Sequence, residues 1–327
     1  MICVDWRTCA HSEVAPLLAA ETHAWRRDLD WDVTEAWRVV EPARRAGQLP
    51  GFVVRDDHGR PLGWTAFLLH HTSLQVLAFS APDASASDVL VRAILASPEA
   101  AQAASVIFCV RAAAASLRQT LSAHAFQVDP YRYLSRDLST VGAVSDLAVQ
   151  GGARPDGLRG WADDGHAFAD LCARAYAGSR EIRAFAPSGS AAEWHDYVES
   201  LLGGPGCGWF CPELSFVVPG NRRGALTAAV FVTDLGISTA HVAQIVVEPA
   251  SRGQGLAQRL MGAAATAAAA RGYARMTLLV SASNQPASAA YARLGFEERA
   301  GFVVATRPQP SLSTSDALCT GGESTRR

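Results

Sequence analysis

Residues 250–272 read "ASRGQGLAQRLMGAAATAAAARG". Within this stretch two closely spaced glycines, Gly253 and Gly255, give way to a run of alanine, the strongest helix former. Upstream, "HVAQIVV" at 241–247 has strand character and ends at Glu248 and Pro249. A strand, a turn of Arg252, Gly253, Gln254 and Gly255, and a helix starting at Leu256 or Ala257 gather unpaired backbone N–H groups at the positive end of a helix, with no side chain in the way. That arrangement is a cradle for an anion. Arg252 can add a guanidinium to phosphate oxygens. The turn lacks the Gly-Lys-Ser/Thr ending of a nucleoside triphosphate loop and differs from the dinucleotide glycine pattern, which leaves a diphosphate carried by another cofactor.

Working outward, one order of elements occurs twice. Helical patterns near 164–176 and 191–202 precede strand-like runs "LSFVV", "TAAVFVT" and "HVAQIVV"; then come the glycine turn and its helix, the strand "RMTLLVS", a helix near 286–293 and "GFVVATR". In the first half two helices within 12–48 precede three strand-like runs across 51–79, a helix near 86–97, the strand "SVIFCV", a helix near 112–123 and "RYLSRDL". The repetition predicts a duplication: one domain over 1–140, a small, polar linker over 141–156, a second domain over 157–307 and a disordered tail over 308–327.

Bulk properties narrow the partners. The chain has 327 residues, 49% of them hydrophobic, and 29 basic against 31 acidic side chains give a net charge of -2. This predicts two ordinary cores and no basic footprint for nucleic acid or an anionic membrane. Asp5, Arg7 and Glu13 interrupt any signal-peptide core, and the longest apolar runs are too short to span a bilayer, so the expected location is cytoplasmic. Seven cysteines in an irregular spacing suit reduced thiols. Cys207 and Cys211 form the one tight pair, and no second pair or His-x3-His follows to complete a metal site, so no metal is expected.

About thirty residues beyond the glycine turn stands "SASNQPASAAYARLGFEE", with Asn284, Tyr291 seven residues later, and "LGF" at 294–296. Together with Arg252-Gly253-Gln254-Gly255-Leu256-Ala257, this resembles the GNAT superfamily of N-acetyltransferases, whose acetyl-CoA loop has the pattern Arg/Gln-x-x-Gly-x-Gly/Ala. The resemblance covers residues of about 160–307. It implies an α/β (α+β) fold of two tandem GNAT-like domains, each a mixed, mostly antiparallel twisted sheet flanked by helices. It also implies acetyl-CoA as cofactor, a small amine or peptide as acceptor, and possible pairing as a homodimer.

Roles follow position by position from the resemblance. Ile245, Val246 and Val247 would offer backbone groups to the pantetheine arm, an N–H of Val246 or Val247 polarising the thioester carbonyl. Arg252, Gly253, Gln254, Gly255, Leu256, Ala257 and Gln258 would hold the pyrophosphate. Asn284 would contact the cofactor near its pantetheine amides, and Tyr291 would protonate the departing thiolate. Each also has a plainer reading: Asn284 as a helix cap and Tyr291 as a core aromatic. Acetylases of ribosomal-protein N-termini carry a Glu where this chain has Leu279, which weakens a protein N-terminus as acceptor. Glu248 at the strand end is the base candidate carried forward, beside His241, Gln244 and Asp234.

The corresponding turn of the first half, "LAFSAPDASASDVLVRAI", has neither glycine nor arginine before its helix, and Leu121 stands in place of the tyrosine. The first domain therefore reads as a degenerate partner. Trp25, Trp31, Trp37 and Trp64 are core residues or a pocket lining; Trp194, Trp209 and Phe210 hint at an apolar acceptor site. The expected activity is acetyl transfer to an amine by direct attack on the thioester. The alternatives are a non-catalytic acetyl-CoA sensor and a tandem synthase that acetylates a cysteinyl sugar in mycothiol formation.

Overall fold

A computed structural model describes residues 1–111, 115–139, 157–204 and 206–309. The linker predicted at 141–156, and all but the first two residues of the tail predicted at 308–327, lie outside the described residues. The first half runs β1 (Ile2–Asp5), α1 (His11–Leu29), α2 (Thr34–Arg45), β2 (Gly51–Arg55), β3 (Pro61–His70), β4 (Ser73–Ser80), α3 (Ala84–Leu95), α4 (Pro98–Gln102), β5 (Ser105–Arg111), α5 (Ala115–Ala123) and β6 (Gln127–Asp137). The second runs β7 (Arg159–Gly160), α6 (Gly165–Tyr176), α7 (Ala191–Gly203), β8 (Trp209–Phe210), β9 (Phe216–Pro219), β10 (Leu226–Asp234), β11 (Thr239–Val247), α8 (Leu256–Ala270), β12 (Arg275–Ser281), α9 (Gln285–Arg293) and β13 (Glu297–Pro308).

The repetition extends to fine geometry. In each half a helix crosses over between two parallel strands, β4 to β5 through α3 and β11 to β12 through α8. The parallel pairing covers four residues in each case, Ser73–Val76 with Ser105–Phe108 and Thr239–Val242 with Arg275–Leu278. The hairpin ahead of each crossover carries one bulge. Leu77 is the extra residue between Val76 and Ala78, and Ala243 the extra residue between Val242 and Gln244.

The halves do not close separately. The thirteen strands among the described residues form one sheet in the order β1-β2-β3-β4-β5-β13-β6-β12-β11-β10-β9-β7, with β8 on β10. The terminal strand of each half has left its own unit. β13 lies between β5 and β6, and β6 lies between β13 and β12, all antiparallel. The apolar faces follow the exchange: Val303 and Ala305 of β13 are buried in the core under α3 and α5, and Leu134 of β6 in the core under α8. Val303 and Leu134 each contribute roughly 1.5–3 kcal/mol when fully buried, so neither core is complete without the other half's strand.

On the opposite face a third cluster seals the seam. Leu29, Trp31 and Val33 pack with Leu235 over Tyr133, Phe302 and Val304, and the Tyr133 hydroxyl donates to the Leu29 carbonyl at 2.9 Å. Asp30 holds both Arg275 (3.2 Å) and Arg299 (3.5 Å), and His71 faces Asp196 at 3.1 Å. The tryptophans of the first half pack in or against the core, with Trp25 and Trp37 partly buried. Trp64 is 2% and Trp31 6% exposed, Trp6 stacks on Trp64, and the Trp37 indole donates to Thr22. Among the described residues no helix is long and apolar enough to cross a membrane.

Residues 157–309 produced alone should therefore fail to show a cooperative unfolding transition, because β13 loses both hydrogen-bonding neighbours and β12 loses one. Residues 1–139 and 157–309 produced together should instead elute as one complex in size-exclusion chromatography. Two independently folded, separable fragments would contradict the exchange.

Candidate functional site

The site is an opening in the sheet with a helix end at its mouth. Beyond Val242 and Leu278 the parallel strands part: β11 keeps its ladder with β10 as far as Val247, and β12 keeps its ladder with β6 as far as Ser281. The facing edges from Ala243 and Leu279 onward lack cross-strand partners, which leaves main-chain groups available to an extended ligand. The bulge at Ala243 also re-aims the strand. Ala240, Val242, Ile245 and Val247 share the α8 face, while Gln244 and Val246 join His241 on the other. Ile245, Val246 and Val247 thus line the parted edge.

Gly253 (φ 79°) and Gly255 (φ 75°) both take the left-handed conformation, and Gly255 is the N-cap of α8 with no side-chain hydrogen bond to the helix amides. A Cβ at either glycine would meet nothing within 4 Å, so the mouth is open. Arg252, Gln254, Ala257 and Gln258 are exposed around it, whereas Leu256 is 6% exposed and anchors the first turn in the core with Leu260 and Ala264. Arg259, also exposed in that first turn, has no ion pair among the described residues. A cation there opposes the helix dipole unless an anion is present. These residues fit a diphosphate.

The corresponding helix of the first half is closed to one. Asp83 is the N-cap of α3, and its carboxylate accepts the Ala86 amide at 2.9 Å, placing a fixed negative charge where an anion would sit.

The side chains expected around the mouth differ in how they are engaged. The Arg252 guanidinium turns back onto main-chain carbonyls, donating to Ala175 at 2.7 Å and to Val247 at 3.4 Å, and so ties the last turn of α6 to the end of β11. Asn284 caps α9 by accepting the Ala287 amide at 3.2 Å, and its amide nitrogen donates to Glu181 at 3.4 Å. Tyr291, half-buried on α9, packs edge-on against Phe296, and its hydroxyl makes no hydrogen bond to the described residues. Burial and, second, the charge of Glu181 push its phenol up to about 12, so it carries its proton at neutral pH.

The four base candidates are disposed as follows. Glu248 is paired with Arg174 at 3.2 Å. Gln244 is spent on both ends, its oxygen accepting from Tyr176 (2.9 Å) and its nitrogen donating to Tyr197 (2.8 Å). Asp234 pairs with Ala240, at the end of the β10–β11 ladder away from the opening. His241 is 3% exposed, stacked on Tyr133 and held by Thr277 at 3.0 Å; burial lowers its pKa to about 4.

Trp194 is fully buried against Tyr176 and Phe210 stacks on Phe231, so both are core packing rather than acceptor lining; Trp209 alone of that set is 49% exposed. Burial pushes the Cys207 and Cys211 thiols up to about 11. Sequence reasoning passed over Glu181, which sits in the 3-10 turn Arg180–Ala184 between α6 and α7, beside Asn284. The run "AGSREIRAF" has no periodicity or motif that would single it out.

Residues 183–296 match the family model described as acetyltransferase (GNAT) family. Over 170 residues the chain is 31% identical to mycothiol acetyltransferase of Beutenbergia cavernae, covering 50% of this chain and 54% of that one. The chain thus spans about half the length of the curated relative it matches. Among solved structures it is similar to a GCN5-related N-acetyltransferase from Sphaerobacter thermophilus, with a TM-score of 0.63 at 17% identity over 94% of this chain and 95% of that one. A region of a fungal multi-domain β-N-acetylglucosaminidase, described as a glucosamine N-acetyltransferase, gives 0.56 at 14% identity over 94% of this chain and 38% of that one. At these identities the two structures speak for the fold alone.

The buried His241 makes a pH prediction. Its folded value of about 4 lies below the ordinary 6.5, so between the two the unfolded chain binds a proton that the folded chain does not. Stability drains as pH falls through that window, by about 2 kcal/mol at pH 5 relative to neutral. Urea unfolding at pH 7 and pH 5 should show this loss in the wild type and its absence in His241→Asn, whatever the variant's own stability.

With the opening, the glycine loop and the repeated strand order added to the match over residues 183–296, the second half carries a domain of the acetyltransferase (GNAT) family, in a chain whose two halves repeat one order of elements.

Proposed function

We propose that this chain transfers an acetyl group from acetyl-CoA to an amine acceptor, a small amine or a peptide. The observation that carries the reading is the parted pair β11/β12 leading to an uncapped, glycine-lined helix N-terminus, set against an aspartate-capped equivalent in the first half. The amides at 253–257 hold the diphosphate, with Gln258 and Arg259 beside them. Ile245, Val246 and Val247 present main-chain groups along the opening, one amide polarising the acyl carbonyl. Acetyl-CoA, when bound, supplies the activated acyl group. Tyr291 keeps a proton on its phenol for the departing sulfur, a role its raised pKa suits. Residues 157–307 carry the transfer, and residues 1–140 form a partner domain that completes the sheet without a cofactor cradle of its own.

A second, narrower reading rests on the similarity to mycothiol acetyltransferase: the acceptor is the amine of a cysteinyl sugar. Nothing in the loop geometry distinguishes that acceptor from a simpler amine.

Isothermal titration of the full chain with coenzyme A should show one site per chain. Gly255→Asp, which copies the charge of the first half's cap, should weaken it at least about 100-fold while the thermal melt persists. Thiol release from acetyl-CoA across alkylamines, aminoglycosides, polyamines, cysteinyl glycosides and peptides identifies the acceptor class. Tyr291→Phe should then lower kcat about 100-fold with coenzyme A affinity unchanged. Tight binding with no acceptor-dependent release would make the chain a sensor rather than an enzyme.

A further inference from the structure

The opening in the sheet has an acid beside it, Tyr291, and none of the candidates from β10 and β11 supplies a free base. The turn Arg180–Ala184 does. Glu181 is half-buried, and its one side-chain hydrogen bond among the described residues is from the Asn284 amide nitrogen to Oε1 at 3.4 Å. Asn284 is the cap of α9, the helix that carries Tyr291. A single amide therefore joins the carboxylate to the helix bearing the acid. The Ser179 hydroxyl accepts the Glu181 backbone amide and fixes the start of the turn, and the Glu181 carboxylate has no ion pair among the described residues.

From the geometry we infer that Glu181 is the general base of the transfer, accepting the proton that the acceptor nitrogen loses. The inference rests on the acetyl-transfer reading above. The balance is simple. Before attack the ammonium gives one proton to the Glu181 carboxylate; the freed nitrogen forms a bond to the acyl carbon, the carbon–sulfur bond breaks, the nitrogen's second proton is lost to solvent as the amide forms, and the sulfur takes the Tyr291 proton. Solvent then returns the proton from Glu181 to Tyr291, leaving an amide and a free thiol with no net change in the protein.

The surroundings favour this use of a carboxylate. The titratable groups near enough to exchange charge effects with Glu181 are Asp129 of β6, the phenols of Tyr131 (β6), Tyr176 (α6) and Tyr291 (α9), and Arg252 after β11. Burial, reinforced by Asp129, raises the Glu181 pKa against the smaller opposing effects of Asn284 and Arg252. A raised carboxylate pKa makes a better proton acceptor. Its basic form is lost as pH falls through the raised value, so the wild-type rate should drop on the acid side at a pH above the ordinary carboxylate range.

The test uses the full chain with two probes, benzylamine, an ammonium at neutral pH, and hydroxylamine, which is uncharged there. Glu181→Gln should lower kcat with benzylamine about 100-fold, remove the acid limb of its pH profile and leave coenzyme A affinity unchanged. The rate with hydroxylamine should stay within a few-fold of wild type, and Glu181→Asp should recover part of the benzylamine rate. A Glu181→Gln chain that loses both probes together, or neither, overturns the assignment. A wild-type chain that turns over neither probe overturns the transfer reading, and this inference falls with it; the two failures are told apart at the wild-type measurement.

Discussion

The hydrogen bonding of β13 governs this architecture. It pairs with β5 along one edge, from Phe302 to Pro308, and with β6 along the other, from Glu297 to Thr306, and both neighbours belong to the first half. An interior strand must satisfy both rows of main-chain groups, and the loss of either neighbour would expose a long, apolar edge. The exchange removes two edges at once, since β6 similarly fills the place beside β12. The first half is thus a structural requirement of the second, whatever it binds itself.

Duplication preserved backbone geometry while the chemistry of the two crossovers diverged. Both parallel pairs part after four residues, and both hairpins carry a bulge at the residue where parting begins, Leu77 in one and Ala243 in the other. What differs is the N-cap of the helix that follows. Gly255 offers the α8 amides no side-chain acceptor, whereas the Asp83 carboxylate accepts one of those of α3. The contrast shows how little separates a helix start built for an anion from one built for stability: one side chain decides whether the orphan amides are spent internally.

The legible parts of this protein are the local ones. The apolar run in "HVAQIVV", the glycines at 253 and 255 and the alanines of α8 fix strand, turn and helix within about thirty residues of one another, and propensity acts at that range. The strand exchange is invisible at that range. β6 and β13 are both terminal strands of similar length and apolar pattern, so nothing local says which neighbour each will take. Side-chain engagement was equally hidden: Arg252 reads as a phosphate ligand until Ala175, 77 residues earlier, is seen to offer its carbonyl. Trp194 and Phe210 read as pocket lining because an aromatic near a site and an aromatic in a core have the same one-letter signature. Glu181 lies in a polar turn whose neighbours are brought to it only by the packing of α6, β6 and α9.

Burial acts on the proposed acid and the proposed base in the same direction, with opposite consequences. Removing water from Tyr291 raises a phenol that is already protonated at neutral pH, and so only secures its proton. Removing water from Glu181 raises a carboxylate towards the range where it can exchange one. The two charges also act on each other, since the carboxylate is a cause of the tyrosine's shift and discourages a phenolate beside it. One half-dry environment can therefore yield a donor and an acceptor, with Arg252 only a minor opposing charge on the carboxylate. Asn284, neutral and engaged at both ends, can hold the pair in register without adding a charge of its own.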